Sequence, residues 1–186
     1  EILADLYAAD PSRVDKNGDG KVATLEFEGE INNPEAIART EYSLSTAIEK
    51  GVPCEMMTEN QVANWDTAKA QEMMTAQIAS LGVENIEVVF CNNDDMAIGA
   101  LQAIQAAGRT VNKDIYLVGV DALDAAKNEV ANGNMTGTVL NDAKGQATQA
   151  VASMEELLGG KTFEANHQSV YVDYVKVTPD NVKDFQ

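Results

Sequence analysis

Short apolar runs alternate with longer amphipathic stretches along most of the chain. The run IEVVFC at 86–91 is almost continuously apolar, which is typical of a strand buried on both faces of a sheet. In contrast, Ile37, Leu44 and Ile48 recur at the spacing of one helix face. Strands that alternate with helices predict βαβ units and a parallel sheet. The pattern therefore predicts the α/β class, with an open parallel sheet and helices on both faces.

The same pattern predicts where the individual elements lie. Strands are expected at 22–28, 54–57, 86–91, 115–121 and in a last run that ends at Asn141. Helices are expected at 2–9, from Pro34 to about 50, after Asp66 as far as Leu81, at 96–107 and at 123–130. A helix at 142–158 and a strand at 169–175 follow. For the five strands we expect the order 2-1-3-4-5.

Polar residues end several of the predicted strands. Asn93, Asp121 and Asn141 lie at or just after the carboxyl ends of three of them. Parallel strands direct these ends toward the crevice where α/β folds bind ligands, so the three side chains should converge. The alternative interpretation is that they are ordinary helix caps and turn formers. Trp65, just before a helix start, would either stack on a sugar ring or pack in the core.

The segment DKNGDG at 15–20 matches the start of an EF-hand calcium loop. Asp15, Asn17 and Asp19 would bind the ion through side-chain oxygens, and Lys21 through its backbone carbonyl. The alternative is an Asx-rich turn that holds no ion. The motif therefore makes a structural calcium ion the expected cofactor.

Completion of this loop is left open by the residues themselves. Ala23, at the ninth position, has no side-chain oxygen, so a water molecule would have to take that place. Glu26 is at the twelfth position, where an EF-hand has its bidentate carboxylate, but it falls inside a predicted strand. Glu87, at the start of the next buried strand, is the alternative carboxylate.

Charge and motif content exclude several classes of function. Thirteen Lys and Arg against 30 Asp and Glu give a net charge of −17, which repels nucleic acids and anionic membranes. The chain has one histidine, His167, and no GxSxG, P-loop or GxGxxG sequence, so we do not expect an enzyme. It opens without a basic and apolar leader, from which we expect a mature or trimmed chain.

Six segments in one order resemble the carboxyl-terminal part of the periplasmic galactose/glucose-binding proteins of ABC transport and chemotaxis. They are DKNGDGKV, GEINNPEAIART, NWDTAKAQ, IEVVFCNNDDMAIGA, VGVDAL and TGTVLNDA, and the resemblance covers the whole chain. Such proteins fold as two lobes that close around one pyranose, with one calcium in the second lobe. The resemblance implies that 1–141 and 177–186 form the second lobe. It also implies that 142–176 add a helix and a strand to a first lobe outside this sequence.

The resemblance also implies which residues contact the sugar. These are Asn33, Glu35, Arg39, Trp65, Asn93, Asp121 and Asn141. Trp65 would stack under the ring, and the polar side chains would hydrogen-bond its hydroxyls. The distant calcium carboxylate is assigned to Glu87. The family usually has His at position 33, Asp at 35 and Gln at 23, so these departures bear on sugar preference and calcium affinity.

By this resemblance the chain is expected to be part of the solute-binding component of a bacterial ABC sugar importer, for a hexose like galactose or glucose. The implied partners are a transporter permease and, for chemotaxis, a chemoreceptor. The implied location is periplasmic or extracytoplasmic, with a lipoprotein form as an open alternative. We also expect self-association through 142–175, where a helix carries an apolar stripe. The alternative function is the effector-binding core of a transcriptional repressor with the same fold.

Overall fold

Six α-helices and seven β-strands are found in residues 1–162 and 170–185, which the computed structural model describes. The helices are α1 (Ile2–Ala9), α2 (Pro34–Glu49), α3 (Thr67–Leu81), α4 (Asp94–Ala106), α5 (Asp124–Ala131) and α6 (Ala143–Leu158). The strands are β1 (Val22–Glu28), β2 (Cys54–Met56), β3 (Gln61–Val62), β4 (Val88–Cys91), β5 (Tyr116–Val118), β6 (Thr138–Leu140) and β7 (Val175–Val177).

The central sheet is parallel and has the order β2-β1-β4-β5, with β3 paired to the carboxyl end of β1. β6 continues the sheet beyond β5 through two isolated parallel bridges, between Val118 and Gly137 and between Asp121 and Leu140. The five predicted strands therefore lie in the predicted order. The α/β class with a parallel sheet is confirmed. β3 was not predicted, because two residues are too few to show a periodicity.

Helices cover both faces of the sheet, because successive strand residues point in opposite directions. In β4, Val89 and Cys91 belong to the core that includes residues of α3, α4 and α5. Val88 and Phe90 belong to the opposite core, which includes residues of α1 and α2. Burial on both sides explains why this strand is apolar at nearly every position.

The predicted strand at 169–175 is wrong in its position. Residues 170–174 form no strand, and the pairing instead involves β7, which runs antiparallel to β6. Val177 of β7 is fully buried, whereas Tyr171, within the predicted strand, is 84% exposed. The residue that packs in the core is therefore in β7 and not in the predicted strand. The start of the predicted strand, Ser169, and the histidine His167 lie outside the described residues.

α6 differs from the other helices because none of its residues is buried. Its apolar residues include Val151, Met154 and Leu158, which are 52%, 55% and 83% exposed. The predicted helix is therefore present, but the described part of the chain does not cover its apolar stripe. Of the helices within 1–162 and 170–185, none combines the length and apolar character needed to cross a bilayer.

Candidate functional site

Arg39 of α2 lies at the carboxyl edge of the sheet and joins several elements there. Its Nη2 is 3.1 Å from Oδ1 of Asp121, which follows β5, and its Nη1 donates to the carbonyl of Asn92, after β4, at 2.7 Å. The guanidinium carbon is 5.8 Å from the centre of a Trp65 ring, within the range of a cation–π contact. The Arg39 side chain is 10% exposed, so this charge is largely removed from water.

Burial and neighbouring charge act against each other in this ion pair. Burial raises the pKa of Asp121, and the Arg39 guanidinium offsets that effect only in part. Burial alone would lower the pKa of Arg39, but the Asp121 charge and a hydrogen bond with Tyr174 raise it overall. Asn141, after β6, donates from Nδ2 to the same Asp121 oxygen at 3.5 Å. The edge therefore presents a cation, a carboxylate and an amide side by side.

Trp65 is held at this edge by a strained turn. Asn64 and Trp65 both have left-handed backbone angles, with φ of 54° and 63°. The indole lies against the backbone of Gly29, where an added Cβ would come within 2.2 Å of the ring. Asp66, the next residue, caps α3 by accepting a hydrogen bond from the amide of Lys69 at 2.7 Å. Only a glycine at position 29 leaves room for this placement of the ring.

Three further predicted residues lie at the starts of helices. Asn33 Oδ1 caps α2 through the amides of Glu35 and Ala36, and Asn93 Oδ1 caps α4 through the amide of Met96 at 3.0 Å. The Asn93 Nδ2 also donates to the carbonyl of Trp65 at 3.4 Å. Glu35 is 3.7 Å from the Arg39 guanidinium. Capping therefore accounts for the side-chain oxygen of each asparagine. All seven predicted residues are joined by direct contacts at this edge, Asn33 through its capping bond to Glu35.

Sequence reasoning missed the residues behind Arg39. Asn92 is 1% exposed, and its Nδ2 donates to Glu26 Oε1 and to Thr40 Oγ1, both at 3.0 Å. Burial raises the pKa of Glu26 well above its usual range. Tyr174, whose side chain helps to raise the pKa of Arg39, precedes β7. Asn92 stands next to Asn93 in NNDD and could have been considered with it, whereas no local signal marks Tyr174.

A cavity of about 550 Å³ adjoins these residues on the face covered by α1 and α2. Ile2, Phe90 and Val118 contribute apolar wall, and Glu26 and Arg39 contribute polar groups. The cavity is distinct from the Trp65 side of Arg39, since Trp65 is not among its lining residues. Arg39 therefore stands between the cavity and the aromatic ring.

The loop at 15–21 folds around its own side chains. Asp15 accepts hydrogen bonds from the amides of Gly18 and Gly20 at 2.7 and 3.0 Å, and Asn17 accepts one from Asp19 at 2.8 Å. Asp19 in turn accepts from the amide of Lys21 at 2.9 Å. Both glycines have positive φ, 72° and 81°, as the sharp turn requires. The alternate side chains thus turn their oxygens toward the loop backbone.

Glu87 is the carboxylate that reaches this loop. Its oxygens accept from the amides of Lys16 at 2.5 Å, Asn17 at 3.3 Å and Ala23 at 2.8 Å. Glu26 instead lies on the sheet face against Ser43 and Asn92. Within the described ranges, no three His, Cys, Asp or Glu side chains gather closely enough to hold a metal. An ion here would therefore need the Asn17 amide and backbone carbonyls as well.

Comparison with known proteins identifies the family. The model of the periplasmic binding protein domain matches residues 8–162. The chain belongs to this family. As a periplasmic binding protein domain, it has the open sheet and the carboxyl-edge crevice in which α/β folds bind small molecules.

Relatives of this periplasmic binding protein domain are named as binding proteins. The D-galactose/methyl-galactoside binding periplasmic protein MglB of Haemophilus influenzae is 35% identical over 191 residues, which cover 100% of this chain and 56% of that protein. A putative rhizopine-binding protein of Rhizobium meliloti is 34% identical over 171 residues, which cover 90% of this chain and 52% of the relative. The chain thus spans about half the length of these curated relatives.

Solved structures of the same kind overlay well on this fold. An ABC transporter solute binding protein from Bacillus halodurans with bound myo-inositol has a TM-score of 0.76 at 28% identity, over 94% of this chain and 57% of its own. A periplasmic solute binding protein from Actinobacillus succinogenes with bound D-allose has a TM-score of 0.78 at 24% identity, over 93% and 58%. The second likeness supports the fold alone.

Proposed function

We propose that this chain is one lobe of a periplasmic solute-binding protein that captures a monosaccharide for an ABC importer. The observation that carries the proposal is the Arg39–Asp121 ion pair, 3.1 Å across, beside the Trp65 ring. Sugar hydroxyls both donate and accept hydrogen bonds, so a guanidinium and a carboxylate suit them together. The apolar face of a pyranose suits an aromatic ring. The family membership and the names of the relatives also support a binding protein over an enzyme or a repressor core.

Each residue at the edge has a proposed role. Trp65 stacks under the ring, and Arg39 and Asp121 are the main polar anchors. The side chains of Asn33, Glu35, Asn93 and Asn141 complete the hydrogen bonding. The side-chain oxygens of the two capping asparagines accept from helix amides. The Nδ2 group of Asn33, and the second N–H of the Asn93 Nδ2 group that also donates to Trp65, are proposed to donate to the ligand.

The proposed ligand is a hexose like galactose or glucose, in keeping with the galactose-binding relative. Calorimetry of a two-lobed form of the protein against D-galactose, D-glucose, D-allose and myo-inositol tests this. We expect a clear binding heat for a pyranose and tighter binding of galactose or glucose than of myo-inositol. Absence of binding by every member of the panel would contradict the proposal.

We also propose that the loop at 15–21 binds one structural calcium ion. The ligands would be the side chains of Asp15, Asn17 and Asp19, the carbonyl of Lys21 and the Glu87 carboxylate. Two features support this: the loop repeats the EF-hand ligand spacing, and Glu87 is the distant acid that contacts the loop. The ion would tie the loop to the start of β4 and would neutralise acidic charge.

The segment 142–176 is proposed to belong with a first lobe, and 1–141 with 177–186 to form the second. The support is that α6 has no buried residue although it carries several apolar side chains, which a first lobe could cover. In the absence of that lobe, we propose self-association of the chain through 142–175. Light scattering tests this: Met154→Lys should shift a dimer toward monomer, whereas Lys144→Glu at the start of the same helix should not. A monomer at every concentration would contradict self-association.

The proposed partners of the complete protein are a transporter permease, as for an ABC binding protein, and a chemoreceptor. A lipid-anchored form is part of the same proposal. Binding of the two-lobed protein to permease in detergent, with and without hexose, tests the first of these partners. We expect hexose to strengthen the interaction, because closure around ligand orients both lobes.

A further inference from the structure

Asp94, the first residue of α4, is fully buried and lies outside the proposed sugar contacts. Its Oδ1 accepts a hydrogen bond from Thr138 Oγ1 of β6 at 2.6 Å, and its Oδ2 accepts from the backbone amide of Leu123 at 2.8 Å. The Thr138 hydroxyl oxygen accepts from the amide of Ala122 at 3.2 Å. One carboxylate thus joins α4, β6 and the turn between β5 and α5.

This turn has an unfavourable backbone conformation. Asp121 and Ala122 have φ of 110° and 54°, in a region that residues with a side chain rarely adopt. Such a conformation persists only when surrounding contacts hold it. Asp94 supplies a direct contact to Leu123 and a contact through Thr138 to Ala122, the two residues that follow Asp121.

The carboxylate is also packed tightly against the end of β5. A Cβ at Gly119 would lie 2.3 Å from Asp94 Oδ1, so glycine is the only residue that fits there. Helix capping does not explain this arrangement, because Asn93 already caps α4. Asp95, the next residue of the same helix turn, is also an aspartate but is exposed. The contacts of Asp94 therefore come from its buried position, since an acidic residue one place later in the same helix is exposed.

We propose that Asp94 is a positioning residue of the sugar-facing edge: through Leu123 and Thr138 it holds the turn that directs Asp121 toward Arg39. The inference rests on the proposed function only for the identity of the ligand. Asp94 does not contact the ligand itself, because it is buried beneath the turn. Loss of its contacts should loosen the turn at Ala122 and Leu123, while α4 and the bond from the Asp121 amide to the Val139 carbonyl stay in place.

Amide hydrogen exchange followed by NMR on this chain tests the structural half of the proposal. Asp94→Asn and Thr138→Val should speed exchange at Ala122 roughly tenfold, and Asp94→Asn should do the same at Leu123, because each loses a hydrogen bond. Thr138→Ser keeps the hydroxyl and should restore slow exchange. Asp95→Asn is the matched control and should change neither amide. Unchanged exchange at Leu123 in Asp94→Asn, or equal acceleration throughout α4, would overturn the proposal.

A titration of the same variants in the two-lobed form with D-galactose, followed through the Trp65 indole and Arg39 signals, tests the link to binding. Asp94→Asn should weaken binding about tenfold, and Asp95→Asn and Thr138→Ser should leave it within twofold of the unsubstituted chain. Normal affinity in Asp94→Asn despite fast exchange at Leu123 would overturn the positioning role. Absence of any response in the unsubstituted chain would count against the proposed function, while the exchange data would still decide whether Asp94 holds the turn.

Discussion

The loop at 15–21 and the carboxyl edge of the sheet are both rich in polar side chains, but these side chains are held in opposite ways. In the loop, Asp15, Asn17 and Asp19 bond to backbone amides two to five residues further along the chain. At the edge, Arg39 and Asp121 come from separate elements and depend on the order of the strands. Local bonds shape most of the loop, with Glu87 as its distant contact, whereas the edge exists only once the sheet has formed.

Burial separates the two regions as clearly as sequence distance does. Asn17 and Asp19 are exposed, but Arg39 and Asp121 have side chains that are 10% and 26% exposed. Loss of a charge from a buried pair leaves its partner unpaired in a poorly solvated place, whereas water can replace a partner at the surface. Substitutions at the edge should therefore have larger effects than substitutions in the loop.

The largest expected effect is that of Arg39→Ala on hexose binding. The substitution removes a ligand donor and leaves Asp121 without its counter-ion, so affinity should fall by about 3 kcal/mol, or more than a hundredfold. Calorimetry of the two-lobed form measures this. Arg13→Ala, at an exposed position before the loop at 15–21, is the control and should bind normally. Normal affinity in Arg39→Ala would contradict the expectation that substitutions at the buried edge have larger effects than substitutions in the exposed loop.

The same contrast explains what could be predicted from the sequence. The loop is contiguous, so its spacing alone indicates a calcium loop, although an ion-free turn and the choice between Glu26 and Glu87 stayed open. Hydrophobic periodicity predicted the strands and helices, and the strand order was expected from the doubly wound α/β class. The convergence of Asp121 and Asn141 followed from that order. Arg39 and Glu35 were found through the family resemblance and not through any local pattern.

The residues that sequence reasoning missed depend on contacts between distant elements. In the sequence, Asp94 and Asp95 are neighbouring acids at a helix start, and only the positions of β6 and the turn after β5 distinguish the two. Tyr174 reaches Arg39 because β7 pairs with β6, a register that no periodicity specifies for a strand of three residues. Such contacts depend on how distant segments pack in the folded chain.

The second largest effect concerns the pH dependence of stability through Asp94. Burial, with smaller contributions from the Asp121 and Asp95 charges, raises its pKa from an ordinary 3.8 to about 7, although the hydrogen bonds from Thr138 and Leu123 act to lower it. Between about pH 4 and 7 the folded state retains a proton that the unfolded chain releases. The contribution of Asp94 to stability is therefore fully present below this window, declines as pH rises through it and is level above pH 7.

Asp94→Asn lacks this titration, so its stability relative to the unsubstituted chain should rise by about 2 kcal/mol from pH 5 to pH 8. Urea unfolding at the two pH values measures the difference. Asp95→Asn, which removes an exposed carboxylate from the same helix turn, should show a much smaller change. A parallel response in both variants would mean that burial does not distinguish them.

The third effect, of intermediate size, is the stabilisation of the loop by calcium. An ion that binds only the folded state at a hundred times its dissociation constant adds about 2.7 kcal/mol, and the missing oxygen at Ala23 should reduce this to about 1–2 kcal/mol. Thermal unfolding with millimolar calcium and with chelator measures the gain. Asp19→Ala and Glu87→Gln should abolish it, and Glu26→Gln should retain it. If Glu26→Gln, and not Glu87→Gln, abolished the stabilisation by calcium, the distant ligand would be Glu26.

The smallest expected effect is at an ion pair beside the loop. Lys21 and Glu55 are 2.9 Å apart, no further than Arg39 and Asp121, but each side chain is 58% exposed. Water and salt screen such a pair, and ordering two long side chains opposes it. A double-mutant cycle of Lys21→Ala and Glu55→Ala in urea unfolding should therefore give a coupling within experimental error, unchanged by added salt. The matched cycle at Arg39 and Asp121 should give a clear coupling energy. Equal coupling at the two pairs would show that distance, and not burial, sets the strength of both.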